Sequence, residues 1–204
     1  VRAIIDGNDG VNGKYLIAGD FTAINAVSRN RVAQLTVNGS LDANFTPPSG
    51  ADNSVYGIAR QPSPYQTVLV GAFTSVNAST SLHVARVLAS GATDVSFVNL
   101  QAGVNGGVIR DLAQLSDGRV VIVGDFVSVN GVNRNGVALI GTDGSLDLSF
   151  NPGSGVNNKV RAVAVLPNDK IAIGGDFAQY NGVARAGLTL LNKDGTEDGT
   201  FTGN

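Results

Sequence analysis

The chain contains no cysteine, no methionine and no tryptophan, and it has a single histidine, His83, and a single glutamate, Glu197. Without cysteine there is no disulfide and no thiolate metal site, and a Cys–His nucleophile is excluded. A Ser–His–Asp triad would need His83, which opens an apolar stretch and reads as a strand-edge or partner-facing residue. Charge is also scarce. Charged residues make up 15% of the chain, against about 25% in an average soluble domain. The formal net charge is −2 and the ten arginines and four lysines are scattered, which argues against a nucleic-acid partner. No apolar run approaches the ~20 residues of a membrane span, so membrane insertion is not expected. Hydrophobic residues nonetheless reach 43% with 27 glycines. That balance favours a folded β protein of extracellular type over a disordered one.

What is present is a period. Phe21, Phe73, Phe126 and Phe177 each follow Gly-Asp or Gly-Ala, at intervals of 52, 53 and 51 residues. Phe45, Phe97, Phe150 and Phe201 each lie 24 residues further on. All eight phenylalanines therefore belong to one frame, and the 204 residues read as four copies of one unit. The β-branched runs bounded by Gly, Asn, Asp and Pro predict three strands per copy. The first strands span 1–5, 55–59, 108–115 and 160–166. The second span 15–19, 68–71, 120–124 and 171–175, and the third 32–37, 84–88, 136–140 and 187–191. A polar loop containing Asn25, Asn77, Asn130 or Asn181 joins second to third. A short fourth strand is expected around Asp42, Asp94, Asp147 and Asp198. The second strands are apolar throughout, which predicts burial on both faces.

Repeats of this length with three or four strands point to propeller blades. The expected fold is all-β and propeller-like: four repeats of about 52 residues, each a three- to four-stranded antiparallel blade. Residues 1–204 form a single repeat domain, either four blades or an arc of a larger propeller. The opening Val1-Arg2-Ala3-Ile4-Ile5, in mid-strand, is expected of an excerpt from a longer chain.

Two sets of residues stand out as candidate sites. Asp20, Asp125 and Asp176 precede the first Phe, and nine residues later come Arg29, Arg134 and Arg185. Copy two has Ala72 and Ser81 at these places. Joint loss predicts Asp–Arg structural ion pairs within each blade, with three equivalent acidic ligand sites as the alternative. The second set is oxygen-rich. Asn192, Asp194 and Asp198 approximate a calcium loop, and so do Asp6, Asn8 and Asp9 in copy one. The equivalent turns keep Gly while their acids vary, so a turn accounts for them more simply than calcium. No cofactor is expected and no catalytic residue is assigned. Tyr56, Tyr65 and Tyr180 are the candidates for stacking on sugar rings.

The string Asp143-Gly144-Ser145-Leu146-Asp147-Leu148-Ser149-Phe150, then Val160-Arg161-Ala162-Val163-Ala164, then Ile173-Gly174-Gly175-Asp176-Phe177 with Asn181-Gly182, resembles the delta-60 repeat family of bacterial β-propeller-like proteins. The resemblance covers essentially the whole chain and is weakest in copy two, which departs at Ala72, Ser81 and Gly91-Ala92-Thr93. It implies an extracellular or cell-surface setting within large bacterial proteins, and no enzymatic activity. The expected role is adhesion, surface assembly or protein–protein interaction, with a carbohydrate-binding, lectin-like propeller as the alternative. Expected partners are a protein or a surface glycan, or neighbouring copies or domains of a larger assembly.

Overall fold

The computed structural model describes residues 1–6, 13–61, 66–98, 100 and 102–203. It contains two compact units, Val1–Asn99 and Leu100–Asn204, and each unit holds two repeats. Every repeat is a three-stranded antiparallel blade with its strands in chain order across the sheet. Blade one comprises Ala3–Asp6, Tyr15–Ala18 and Val32–Leu35. Blade two comprises Val55–Arg60, Thr67–Gly71 and Val84–Val87. Blade three comprises Ile109–Gln114, Val120–Gly124 and Val137–Ile140. Blade four comprises Val160–Val165, Ile171–Gly175 and Leu188–Leu191. The expected all-β, blade-like repeat is what the chain forms. The expected fourth strand shrinks to one bridge per blade, such as Ile140 with Leu146 or Leu191 with Glu197. The Asp turn that follows bends the chain away before a second rung can form.

The stretch expected as a polar loop is instead a β-hairpin in each blade, for example Ser128–Val129 paired with Val132–Asn133. Its two central residues, Asn130 and Gly131, both have positive φ, 49° and 77°. Positive φ at both positions is the type I′ geometry that matches strand twist, and Asn-Gly is its strongest sequence signal. Blades one and two build the same turn with Asn-Ala, using Asn25-Ala26 and Asn77-Ala78.

A recurrent bulge explains the Gly-x-Phe element. In blades two, three and four the first strand carries one extra residue near its start: Tyr56, Arg110 and Arg161. This bends the strand across the end of the second strand, where Gly71, Gly124 and Gly175 lie. A Cβ added at Gly124 would stand 2.1 Å from the Val108 carbonyl oxygen, and at Gly175 2.2 Å from that of Lys159. Glycine recurs here because backbone crosses backbone. Gly124→Ala is therefore expected to lower stability by about 1–3 kcal/mol, the usual cost of overpacking, read from urea denaturation. An unchanged midpoint would mean that the bulge can open without cost.

Within the second unit, Val121, Val123, Val137 and Leu139 of blade three pack on Ile171, Ile173 and Leu191 of blade four, together with Phe150 and Phe177. Within the first unit, Leu16, Ala18 and Val32 of blade one meet Ile58, Leu69 and Ala85 of blade two. Six phenylalanines are buried, while Phe21 and Phe201 are half-buried. The second strands of blades two and three are buried along their whole length, as expected. In blade four the second strand alternates: Ile171 and Ile173 are buried, but Ala172 and Gly174 are only half-buried. Small side chains kept this alternation from showing in the hydropathy pattern.

Candidate functional site

The charged residues of the repeat are mostly spent on holding it together. The Asp three residues before each second Phe closes a turn on itself. Asp147 Oδ1 accepts from the Ser149 amide at 2.9 Å and its hydroxyl at 2.6 Å, and Asp198 Oδ1 accepts likewise from Thr200 at 3.0 and 2.8 Å. The second oxygen takes a donor seven residues ahead of the first Phe. These pairs are Lys14 with Asp42 at 2.7 Å, Arg119 with Asp147 at 2.7 Å, and Lys170 with Asp198 at 3.0 Å. In blade two that donor is Gln66, 2.7 Å from Asp94, and the positive charge comes from Arg86 at 2.8 Å. This clamp ties the start of the second strand to the end of the blade in all four repeats. The donor series Lys14, Gln66, Arg119 and Lys170 keeps a constant distance from Phe, so the period alone could have found it.

The Asp residues before the first Phe do not pair with Arg29, Arg134 and Arg185. Asp20 accepts from Arg2 at 2.7 Å, Asp125 from Arg110 at 2.6 and 2.5 Å, and Asp176 from Arg161 at 2.7 and 2.6 Å. Arg110 and Arg161 are the bulge residues, which antiparallel pairing sets beside the end of the second strand. Arg29, Arg134 and Arg185 lie beyond the hairpin and donate to the carbonyls of Ser28, Asn133 and Ala184. Arg185 also forks onto Glu197 at 2.5 and 2.9 Å. Joint loss in blade two holds, but for another couple: Ala72 stands opposite Tyr56, and the Arg2 guanidinium lies 5.0 Å over the Tyr56 ring.

Blades three and four are joined by a charge chain at their first-to-second turns. Asp169 accepts from the Ser116 amide and hydroxyl, each at 2.7 Å, and from Lys193 at 2.7 Å. Lys193 also reaches Asp117 at 2.8 Å, and Asp117 holds Arg119 at 2.8 Å. Lys193 first, then Ser116, hold the Asp169 carboxyl down to about 2. The Thr200 amide first, then Lys170, hold Asp198 down to about 2. An unfolded aspartate titrates near ~3.9. The stability these groups contribute is therefore complete above that value and is lost as pH falls toward their folded values. Asp111 works the other way. Burial pushes its carboxyl up, against hydrogen bonds from the Val163 and Leu112 amides, so its protonation offsets part of the loss. The melting temperature is expected to hold from pH ~7 to ~5 and to fall between pH ~4 and ~2. Calorimetry across that window checks it, and a flat profile would refute the clamps as stabilising.

Two of the oxygen-bearing residues weighed for calcium in blade four meet a lysine. Asn192 Oδ1 and Asp198 Oδ2 both accept from the Lys170 ammonium, at 2.5 and 3.0 Å. Asp194 Oδ1 accepts from the Thr196 amide at 2.9 Å and hydroxyl at 2.6 Å, the bond Asp143 makes with Ser145. Asp6 closes the first strand of blade one; Asn8 and Asp9 lie outside the described residues. Among the described residues no group of three or more His, Asp or Glu side chains is placed to hold a metal ion.

His83 has φ 71° and a ring nitrogen 3.0 Å from the Gly71 carbonyl oxygen. It occupies the left-handed turn position that Gly136 and Gly187 fill in blades three and four, which makes it a turn residue. Tyr180 is buried with its hydroxyl 2.5 Å from the Gly195 carbonyl oxygen. Burial, then the charges of Glu197 and Asp194, push that hydroxyl's pKa up. It cannot stack on a sugar. Tyr65 lies outside the described residues.

Among the described residues each unit has a groove, at matching places in the repeat. The second unit has a groove of about 440 Å³ lined by Gly107, Asp125, Phe126, Asn135, Asn157 and Lys159 among others. The first has one of about 370 Å³ lined by Thr22, Asn30, Arg31, Gly50, Asp52 and Ser75 among others. Asn30 and Asn135 donate to the Ser49 and Ser154 carbonyls at 2.8 and 2.7 Å. Asp52 and Asn157 cap the amides that open the next hairpin, at Thr74 and Ala178, each at 2.9 Å. These walls offer hydrogen bonds in a preset geometry and no nucleophile–base pair.

Residues 12–45, 66–97, 115–150 and 166–201 match the family model described as a domain of unknown function (DUF5122) beta-propeller. No curated protein matches the chain. Among solved structures it is similar to the crystal structure of a protein of unknown function from Bacteroides caccae. That likeness has 11% identity and a TM-score of 0.32, over 90% of this chain and 76% of that one.

Proposed function

We propose, from the premise that this chain belongs to the DUF5122 β-propeller family, that it serves as a non-enzymatic interaction module outside the cell. It would act as a rigid element of adhesion or surface assembly that presents loops to a protein partner. The observation that carries this reading is the use of the repeated charges. The four Asp residues of the frame are clamped by Lys14, Arg86 with Gln66, Arg119 and Lys170. A carboxylate fixed by an ammonium or guanidinium supports the frame, whereas a general acid or base needs a pKa near the working pH. The lone histidine holds a turn. What differs among the copies is loop sequence, and loops on a rigid scaffold carry recognition. The extracellular setting follows from the resemblance of the repeat to those of surface proteins.

The carbohydrate reading is the lesser one, because Tyr180 is withdrawn into the core. The test is to present the purified chain to a glycan array and to immobilised extracellular proteins. Saturable binding to protein with no glycan binding is expected. Glycan binding that is lost on substitution of Asn157 or Lys159 would replace this reading with the lectin one. Turnover of any substrate that is lost in His83→Ala would end it.

A further inference from the structure

We infer that the groove of the first unit is a carboxylate-binding site, with Arg31 as the residue that takes the carboxylate. The inference stands on local geometry within that unit and does not depend on the proposed function. Arg31 breaks a rule of the frame. Its φ is 68°, and the matching positions in blades three and four are Gly136 and Gly187. A non-glycine residue in this left-handed conformation is uncommon and strained, and such strain collects at ligand sites. The surroundings are nonetheless shaped to admit it. A Cβ added at Gly136 would stand 2.5 Å from Val156 Cγ2. The residue in that place beside Arg31 is Ala51, whose amide donates to the Asn30 carbonyl as that of Val156 donates to Asn135. Arg31 and Ala51 both line the groove of about 370 Å³. The matching groove of the second unit has Gly136 and Val156 there, and no cation at that position.

Arg31 is half-buried and spends little of its hydrogen-bonding capacity on the fold. Nη1 donates to the Phe21 carbonyl at 3.2 Å, and Nε is buried with no partner among the described residues. What is left over is the Nε–Nη2 edge, two parallel donors that match the two oxygens of a carboxylate. Blade four shows this division of a guanidinium. Arg185 gives Nη1 to the Ala184 carbonyl at 2.8 Å, and Nε and Nη2 to Glu197 at 2.5 and 2.9 Å. Asp52 also lines the groove, but its oxygens are taken. Oδ1 accepts from the Thr74 and Ser75 amides at 2.9 and 3.1 Å, and Oδ2 from the Thr74 hydroxyl at 2.7 Å. Its charge remains, and it repels a doubly charged phosphate more than a singly charged carboxylate. The carboxylate can belong to a free small acid or to an acidic side chain of a partner.

The test titrates the whole chain with sodium acetate, against chloride and phosphate at equal ionic strength, followed by proton–nitrogen correlation NMR. The Arg31 Nε–H signal and the Gly50 and Ser75 amides are expected to shift together and to saturate with a Kd of about 1–10 mM. A blocked Ala-Glu-Ala peptide separates the two sources. Binding tighter than acetate assigns the site to an acidic side chain, and equal or weaker binding to a free acid. Arg31→Gly restores the residue that blades three and four use at this turn. It should melt at about the wild-type temperature and bind acetate at least about tenfold more weakly. Asp52→Asn keeps the amide cap, as Asn157 does at Ala178, and should bind acetate more tightly. In the second unit, Gly136→Arg with Val156→Ala should create a second site. A wild type with no saturable acetate shift overturns the inference, as does phosphate binding ahead of acetate. So do acetate shifts that survive Arg31→Gly, weaker acetate binding in Asp52→Asn, or a folded Gly136→Arg, Val156→Ala chain without a second site. A clearly lower melting temperature in Arg31→Gly would assign Arg31 to the fold and overturn it as well.

Discussion

Asp94→Ala is expected to destabilise the protein by about 3–5 kcal/mol, the cost of stripping one partner from a buried ion pair. The side chains of Arg86 and Asp94 are only 9% and 7% exposed. Burial pushes the Asp94 carboxyl up, yet hydrogen bonds from Ser96 and Arg86 outweigh it and hold the group below its ordinary value. Without Asp94 the guanidinium keeps the Gln61 Oε1 at 3.0 Å and the Phe97 ring at 4.7 Å, but loses its counter-charge in a site largely shielded from water. The positions matching Arg86 in blades three and four are Leu139 and Leu190. Arg86→Leu combined with Asp94→Ala should therefore recover most of the loss, since no buried charge is left unpaired. Urea denaturation of both single variants and the double variant measures the coupling. Additive losses would show that the pair is not the unit of stability.

Phe150→Ala is expected to cost about 3–5 kcal/mol, combining lost burial with the cavity left behind. Phe150 is fully buried in the cluster that joins blades three and four, together with Val121, Leu139, Ile173 and Tyr180. Strands on both sides of the ring are held by their own ladders, so the space cannot collapse. Phe201 fills the same place in the last repeat but is half-buried. Phe201→Ala should cost clearly less. Thermal melts of the two variants make the comparison, and equal losses would mean that frame position, and not packing between blades, sets the contribution of each phenylalanine.

The strands were legible in sequence because their cause is local. Runs such as Val120-Val121-Ile122-Val123 fit a pleated surface buried on both faces, and the recurrence of Gly-x-Phe set their phase. The hairpins were missed, since the stretch reads as a polar loop when the turn type is not considered, although Asn130-Gly131 and Asn181-Gly182 carry the type I′ signal. The partner of each charge was not legible either. Asp125 and Arg134 are neighbours in sequence and vanish together in blade two, yet Asp125 takes Arg110. A bulge turns that side chain to the sheet end where the aspartate stands, and a bulge leaves no pattern in hydropathy. The same holds for the oxygen-rich turn of blade four: the spacing of Asn192, Asp194 and Asp198 is visible along the chain, while Lys170, which meets two of them, stands just before the second strand of the blade.

By itself the sequence determined the repeat, its four blades, and the small and aromatic residues each blade needs, because these follow from backbone sterics and the alternation of side chains along a strand. Tertiary structure alone decided which acid meets which base, which tyrosine is buried, and which strands alternate in burial. Those outcomes depend on distances between strand ends that are remote in the chain, and the energy of a charge or an apolar face is set by what lies across that gap.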